Sequence, residues 1–375
     1  MKRAFILLYF FILAFTSKAV ESQTNQPIIP DEYTHSVDSL ALYLECNCDT
    51  EEEKLKTLYI WMTHTFRYRM FEAFVAGNQR EGEEKEIQVL LDKRTGVCRD
   101  FSLLFKYVAQ AMDIPAFFVE GYTKDSQGYI QREAHAWNVA KVNGKWYNYD
   151  TTYGMGYARN NEFVSRPTME QYMVPSSEFM KTHMPFDPIW QLDEHPMTYQ
   201  AFDQPAEHGK EVYQPLFNYN DSIIAYSKQN MYQQSLALQD RILHNGTANA
   251  LVQYLLDVNG SNIKVHHHNV VYESYKESMK YYSQGWDEMK LFNRYKLANY
   301  RPKKNVLEVK AWLDSAQANY EKAKQVMAGV SNPPETISKA VGNLNRYIDE
   351  LHTLIDQQWA AFNEHYKKDL KKLKK

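Results

Sequence analysis

Apolar residues along the chain fall into three patterns. Near the N-terminus, Ala4 to Phe15 gives 12 residues without a charge, preceded by Lys2 and Arg3 and followed by Thr16-Ser17-Lys18-Ala19. From residue 50 onward, helical spacings alternate with strand-like runs. Thr50 and Glu53 form a capping box ahead of Leu55, Leu58, Tyr59 and Trp61, which predicts a helix ending near Tyr68. Gly77 to Glu84 is polar and reads as a surface loop, and Glu86 to Leu91 reads as a short helix. After the break at Thr95-Gly96-Val97-Cys98, the residues Phe101, Leu104, Phe105, Val108 and Met112 recur at helical steps, so Cys98 falls at the start of a buried helix. Ala116 to Val119 reads as a buried strand, Gly121 to Gly128 as a loop and residues 134–142 as a strand. Asn143-Gly144 is a strong two-residue hairpin signal, with Lys145 to Asp150 returning as the partner strand. Beyond residue 206 the period is helical: Tyr272 to Tyr300, Val306 to Val330 and, after Asn332-Pro333-Pro334, Thr336 to Leu370. Long amphipathic helices joined by short breaks predict a helical bundle or antiparallel coiled coil.

The N-terminal pattern has the basic, apolar, small-residue order of a secretory signal and is too short for the ~20 residues that span a bilayer. It predicts a signal peptide over 1–19, removed to leave no stretch able to cross a membrane, and a secreted or periplasmic protein. A domain boundary is placed near Gln204-Pro205-Ala206, giving domains 20–205 and 206–375. Charge changes across it: residues 20–205 hold 17 Lys and Arg against 28 Asp and Glu, and residues 206–375 hold 23 against 18. The formal net charge of −3 over 375 residues gives no basic footprint for nucleic acid, and 44% hydrophobic content excludes a disordered chain. Three cysteines cannot build a disulfide framework. A bridge between Cys46 and Cys48 would be strained. Cys98 has no evident partner, and a lone thiol in an exported protein is a liability unless it has a task.

The hairpin makes a geometric expectation for that task. With a two-residue turn, Val142 faces Lys145, Trp137 faces Asp150 and His135 faces Thr152. His135 and Asp150 then lie on one face as diagonal neighbours, within reach of an imidazole–carboxylate hydrogen bond. A slip of one residue would separate them. A helix N-terminus at Cys98 offers free N–H groups suited to an oxyanion. Together these positions predict a nucleophile, a base and an orienting acid in Cys98, His135 and Asp150, attacking an amide and forming a thioester. Elsewhere, His266, His267 and His268 are consecutive, and their side chains diverge from any one ion. Asn245-Gly246-Thr247 and Asn259-Gly260-Ser261 fit the glycosylation acceptor pattern. The basic tail from Lys367 to Lys375 reads as a solvated helix end.

The runs Gly96-Val97-Cys98-Arg99-Asp100-Phe101, His135-Ala136-Trp137-Asn138 and Tyr149-Asp150-Thr151-Thr152 resemble the transglutaminase-like superfamily in order and local sequence. Beyond them, Pro175, Phe179, His183, Pro185 and Asp187-Pro188 to Trp190-Gln191 resemble its kyphoscoliosis-peptidase-like branch. The resemblance covers about residues 35 to 195. It implies an α+β, papain-like core, with the helix bearing Cys98 packed on an antiparallel sheet, followed by the all-α bundle. It also implies Cys98 as nucleophile, His135 as base and Asp150 as orienter. Papain-like enzymes place a side-chain oxyanion donor upstream of the cysteine, and Gln88 is the candidate by order. No cofactor or metal is expected. The substrate is expected to be a protein, peptide or cell-wall amide, and the helical half could hold a partner. An enzyme favouring hydrolysis over cross-linking and a retired scaffold serving as a binding protein of the cell envelope are the two readings carried forward.

Overall fold

The computed structural model describes residues 29–70, 82–204, 217–247 and 249–373. The signal at 1–19, the boundary at Pro205-Ala206, most of the Gly77 to Glu84 loop and the last two lysines lie outside the described residues. Helix α1 spans Val37–Asn47 and α2 spans Glu51–Thr65. The capping box forms as the sequence requires: Glu53 N–H donates to Thr50 Oγ1 and Thr50 N–H to Glu53 Oε2, each at 3.2 Å. Helix α2 stops at Thr65, short of the expected Tyr68, because Arg67–Tyr68 is taken into strand β1. Helix α3 (Glu83–Lys93) is longer than expected at both ends; strand β2 (Thr95–Gly96) follows and pairs parallel with β1.

Helix α4 (Cys98–Ala111) carries the buried stripe Phe101, Leu104, Phe105 and Val108. It packs on a four-stranded antiparallel sheet. The sheet contains β3 (Ala116–Thr123), β4 (His135–Val142), β5 (Lys145–Tyr149) and β8 (His183–Pro185), in the order β5-β4-β3-β8. Between β5 and β8 run α5 (Thr151–Met155), the hairpin β6 (Gly156–Arg159) with β7 (Glu162–Ser165), and α6 (Ser176–Phe179). Helix α7 (Tyr199–Asp203) closes this half. The α+β core is the one the sequence predicted.

Two local expectations need correction. Strand β3 runs on through Gly121, which the sequence reading assigned to a loop. A Cβ there would lie 2.2 Å from the Met184 carbonyl oxygen and 2.4 Å from the Trp137 ring, so this glycine answers to tight packing inside the sheet rather than to a turn. The hairpin keeps its expected register, with Val142 opposite Lys145 and Asn138 opposite Tyr149. Its ladder ends there. The Trp137–Asp150 and His135–Thr152 pairs do not form, because Asp150 leaves the strand to cap α5, its side chain accepting from Tyr153 N–H at 3.0 Å.

The C-terminal part is helical: α8 (Tyr219–Lys228), α9 (Met231–Asn245), α10 (Ala250–Leu297), α11 (Val306–Ala328), α12 (Glu335–His365) and α13 (Lys367–Leu373). Helix α10 begins well before the expected Tyr272, and the segment expected to run unbroken to Leu370 is interrupted at Tyr366. Helices α10, α11 and α12 share an apolar cluster that includes Phe292, Leu313, Leu344, Ile348 and Leu351. At ~1.5 Å per residue, the 48 residues of α10 reach ~70 Å.

Helices α9 and α10 also join the sheet domain. Ile242, Val252 and Leu255 enter one apolar cluster with Cys98, Tyr122, Tyr199 and Phe202. Arg241 grips Asp187 with two bonds, Nε to Oδ1 at 2.7 Å and Nη2 to Oδ2 at 2.6 Å, both side chains mostly buried. Asn245 and Asn259, the acceptors of the two glycosylation-type triplets, are buried and committed. Asn245 accepts from Tyr199 N–H, and Asn259 donates to the Ser235 carbonyl at 2.8 Å. Stripping one member of a buried ion pair strands the other, at a cost of ~3–5 kcal/mol. Arg241→Met is therefore expected to lower the urea unfolding free energy by about 3 kcal/mol, and the added change Asp187→Leu to recover part of it. A single variant within ~0.5 kcal/mol of the parent would show that the pair does not tie the two parts together.

Candidate active site

Cys98 is the first residue of α4, 1% exposed. The preceding Val97 is extended, and its N–H donates to Asp100 Oδ2 at 2.9 Å, which folds the chain abruptly into the helix. Helix geometry leaves the first amides of α4 without intrahelical acceptors. His135 opens β4 and is also buried. Its Nε2 lies 2.7 Å from Asp150 Oδ2, and Cys98 is among the neighbours that raise its pKa. Tyr153 stacks on the imidazole with centroids 4.6 Å apart and 17° between planes, which fixes the ring's plane.

Asp150 is fully buried and held from every side. Oδ1 accepts the Tyr153 N–H at 3.0 Å. Oδ2 accepts from His135 and, at 3.2 Å, from Nε2 of His183. The Tyr59 hydroxyl donates to the Asp150 carbonyl at 3.3 Å. His183, on β8, stacks on Phe179 at 3.8 Å, and its Nδ1 meets the Thr182 hydroxyl at 2.8 Å. With the Thr182 hydroxyl donating to Nδ1, a neutral His183 presents its Nε2–H to Asp150.

The charges follow from this arrangement. Burial pushes the Asp150 carboxyl up, but the adjoining His135 and the two imidazole donors outweigh it and hold the group well below the usual carboxylate range. Burial pushes His135 down, and the Asp150 carboxylate overcomes that, leaving His135 well above an ordinary histidine. For His183 burial wins, and it sits below an ordinary histidine, neutral beside the charged pair. One carboxylate thus separates two histidines into a proton holder and a neutral donor. The nearest ligand atoms of His135, Asp150 and His183 lie within 4.8 Å of one another, so among the described residues these three could hold a metal ion.

Of the three positions expected to act together, His135 and Asp150 are joined by the 2.7 Å bond, and Cys98 heads the helix that packs on their sheet. Gln88 does not join them. The apolar stripe Ile87, Leu90 and Leu91 faces inward, turning Gln88 outward on α3, where its Nε2 donates to Asp92 Oδ1 at 2.9 Å and to the His35 carbonyl at 3.3 Å. It is not placed as an oxyanion donor. His183 and Tyr153 were not read as site residues. Tyr153 follows from Asp150 by the capping geometry, three residues on. His183 arrives through the pairing of β3 with β8, and no local spacing announces it. The three consecutive histidines point apart: His267 stacks on Tyr232, His268 bonds Thr336 at 2.9 Å, and His266 is buried in α10. All three cysteines are free thiols, with Cys46 exposed.

Residues 38–151 match the model of the Transglutaminase-like superfamily. The chain is 23% identical to human kyphoscoliosis peptidase over 185 residues, 47% of this chain and 27% of that protein. It is 23% identical to the mouse kyphoscoliosis peptidase over 169 residues, 43% of this chain and 25% of that protein. The chain thus spans about a quarter of the length of these relatives. Among solved structures, that of a candidate cysteine protease from Cytophaga hutchinsonii is 23% identical, covering 36% of this chain and 43% of that one with a TM-score of 0.25. Residues 38–151 are a transglutaminase-like segment, and Cys98, His135 and Asp150 all lie within it.

Proposed function

We propose that the chain is an exported cysteine enzyme that acts on an amide bond through a thioester acyl-enzyme, hydrolysis being favoured over cross-linking. The observation that carries this reading is the buried 2.7 Å bond between His135 and Asp150, with Cys98 among the neighbours that raise the imidazole. With the proton held on His135 beside Asp150, the Cys98 sulfur adds to the amide carbonyl. The developing oxyanion faces the free amides at the start of α4. His135 returns the proton to the leaving nitrogen as the C–N bond breaks, giving the thioester. His135 then takes a proton from water, the hydroxide adds to the thioester, and the acid leaves as the sulfur is released. Asp150 keeps its charge throughout and steadies the imidazolium. Hydrolysis is supported by the cleft beside His135, which is open to solvent, and by the peptidase names of the relatives. Export is supported by the basic, apolar and small-residue leader. The substrate is a protein, peptide or cell-wall amide. A second reading, a retired scaffold that binds envelope partners, draws on the burial of Cys98, 1% exposed.

Alkylation separates the two. With iodoacetamide near neutral pH and peptide-level mass spectrometry, Cys98 is expected to react faster than the exposed Cys46, and at least about tenfold more slowly in His135→Ala. Labelling of Cys98 no faster than that of Cys46 would leave the scaffold reading standing.

The pH profile reports the charge arrangement. Amide cleavage needs a protonated His135 for the leaving nitrogen, so the rate falls as pH climbs through its raised pKa. In Asp150→Asn the raising charge is gone while the burial that lowers His135 remains. The alkaline limb of kcat/KM for a peptide amide is therefore expected to move to lower pH, with slower turnover. An alkaline limb that stays in place would assign it to another group.

A further inference from the structure

A cleft of about 360 Å³ opens beside His135. Four aromatic rings, Tyr68, Tyr153, Tyr157 and Phe163, form much of its wall. Tyr153 and Tyr157 remain 38% and 44% exposed and present their rings on this one wall. Apart from His135, Glu133 is the only residue of the lining whose side chain is charged at neutral pH, and among the described residues no cation pairs with it. Thr152, 94% buried by its 6% exposure, also lines the cleft, and its hydroxyl has no hydrogen-bond partner among the described residues. Burial first, then the neighbouring Cys98 and Glu133, push the Tyr68 phenol up, so the ring stays neutral.

The geometry points to this cleft as a recognition subsite for a cationic side chain, lysine or arginine, flanking the scissile amide. This rests on the proposed amide chemistry at Cys98 and adds the substrate class. The faces of neutral aromatic rings attract an ammonium or guanidinium, and their area covers its aliphatic stem. Glu133 supplies the counter-charge at the open side, and the Thr152 hydroxyl accepts from a donor that reaches the floor. A cation held against Glu133 stays protonated, so it is recognised by the site and does not itself become acylated.

The test uses the full chain and three acyloxymethyl ketone probes that differ in one side chain, lysine, norleucine or glutamate, with rates of Cys98 labelling as readout. The lysine probe is expected to label about tenfold faster than norleucine, its uncharged counterpart of similar length, and the glutamate probe slowest. In Glu133→Gln the lysine-to-norleucine ratio is expected to fall several-fold, and in Glu133→Lys the preference is expected to pass to the glutamate probe. Equal rates for lysine and norleucine, or a ratio indifferent to both substitutions, would overturn the subsite. Iodoacetamide keeps the two claims apart. Fast labelling of Cys98 by iodoacetamide with equal probe rates removes the subsite alone, whereas failure of Cys98 to react with iodoacetamide removes the subsite and the enzyme together.

Discussion

A single carboxylate, that of Asp150, sits fully buried and yet charged, and the centre of the sheet domain is arranged around that fact. An ionised group out of water is costly unless every lone pair is met. Asp150 meets the requirement with a backbone donor from its own helix cap and two imidazole donors from different strands. Each donor requires an element in place: α5 to present Tyr153 N–H, β4 to present His135, and β8 to present His183. The strand order β5-β4-β3-β8 puts the last two on the same side of the carboxylate, although they are far apart in the chain. The position of Gly121 belongs to the same constraint, since it lets β8 and the Trp137 ring close over β3.

The helical part is connected to this centre and does not merely trail behind it. Cys98 belongs to an apolar cluster completed by Ile242 on α9 and by Val252 and Leu255 on α10. Arg241 is a mostly buried cation held by the carboxylate of Asp187, in the turn that follows β8. The strand that delivers His183 is therefore fixed at one end by the sheet and, just beyond, by a helix from the other part of the chain. Packing of α9 against the domain and the setting of His183 beside Asp150 are coupled through that short segment.

Much of the site was legible because it depends on local rules. The Asn143-Gly144 turn fixes the register of β4 and β5, and that register, with Asp150 turning out of the strand to cap α5, brings His135 near Asp150. The break before Phe101 sets Cys98 at the head of its helix. The expectation failed in detail where two local rules competed: Asp150 could extend the strand or cap a helix, and capping won because the buried carboxylate needed the Tyr153 amide. His183 was beyond local reasoning, since its place depends on β8 pairing with β3 across some sixty residues. Gln88 shows the opposite error, where order along the chain suggested a donor but the inward stripe of α3 had already turned it to solvent.

The same three side chains, His135, Asp150 and His183, offer atoms close enough to ligate a metal, and the two uses exclude one another. The nitrogens available to an ion are those now donating to Asp150 Oδ2, at 2.7 and 3.2 Å. An ion seated among them would need both nitrogens unprotonated and would draw the carboxylate to itself. His135 would lose the charge that now keeps its proton, and with it the means of giving one to the leaving nitrogen. The raised His135 and the lowered His183 are the signature of hydrogen bonding to a shared carboxylate, because that arrangement needs one imidazole charged and one neutral. A site built for a cation would instead favour two neutral rings.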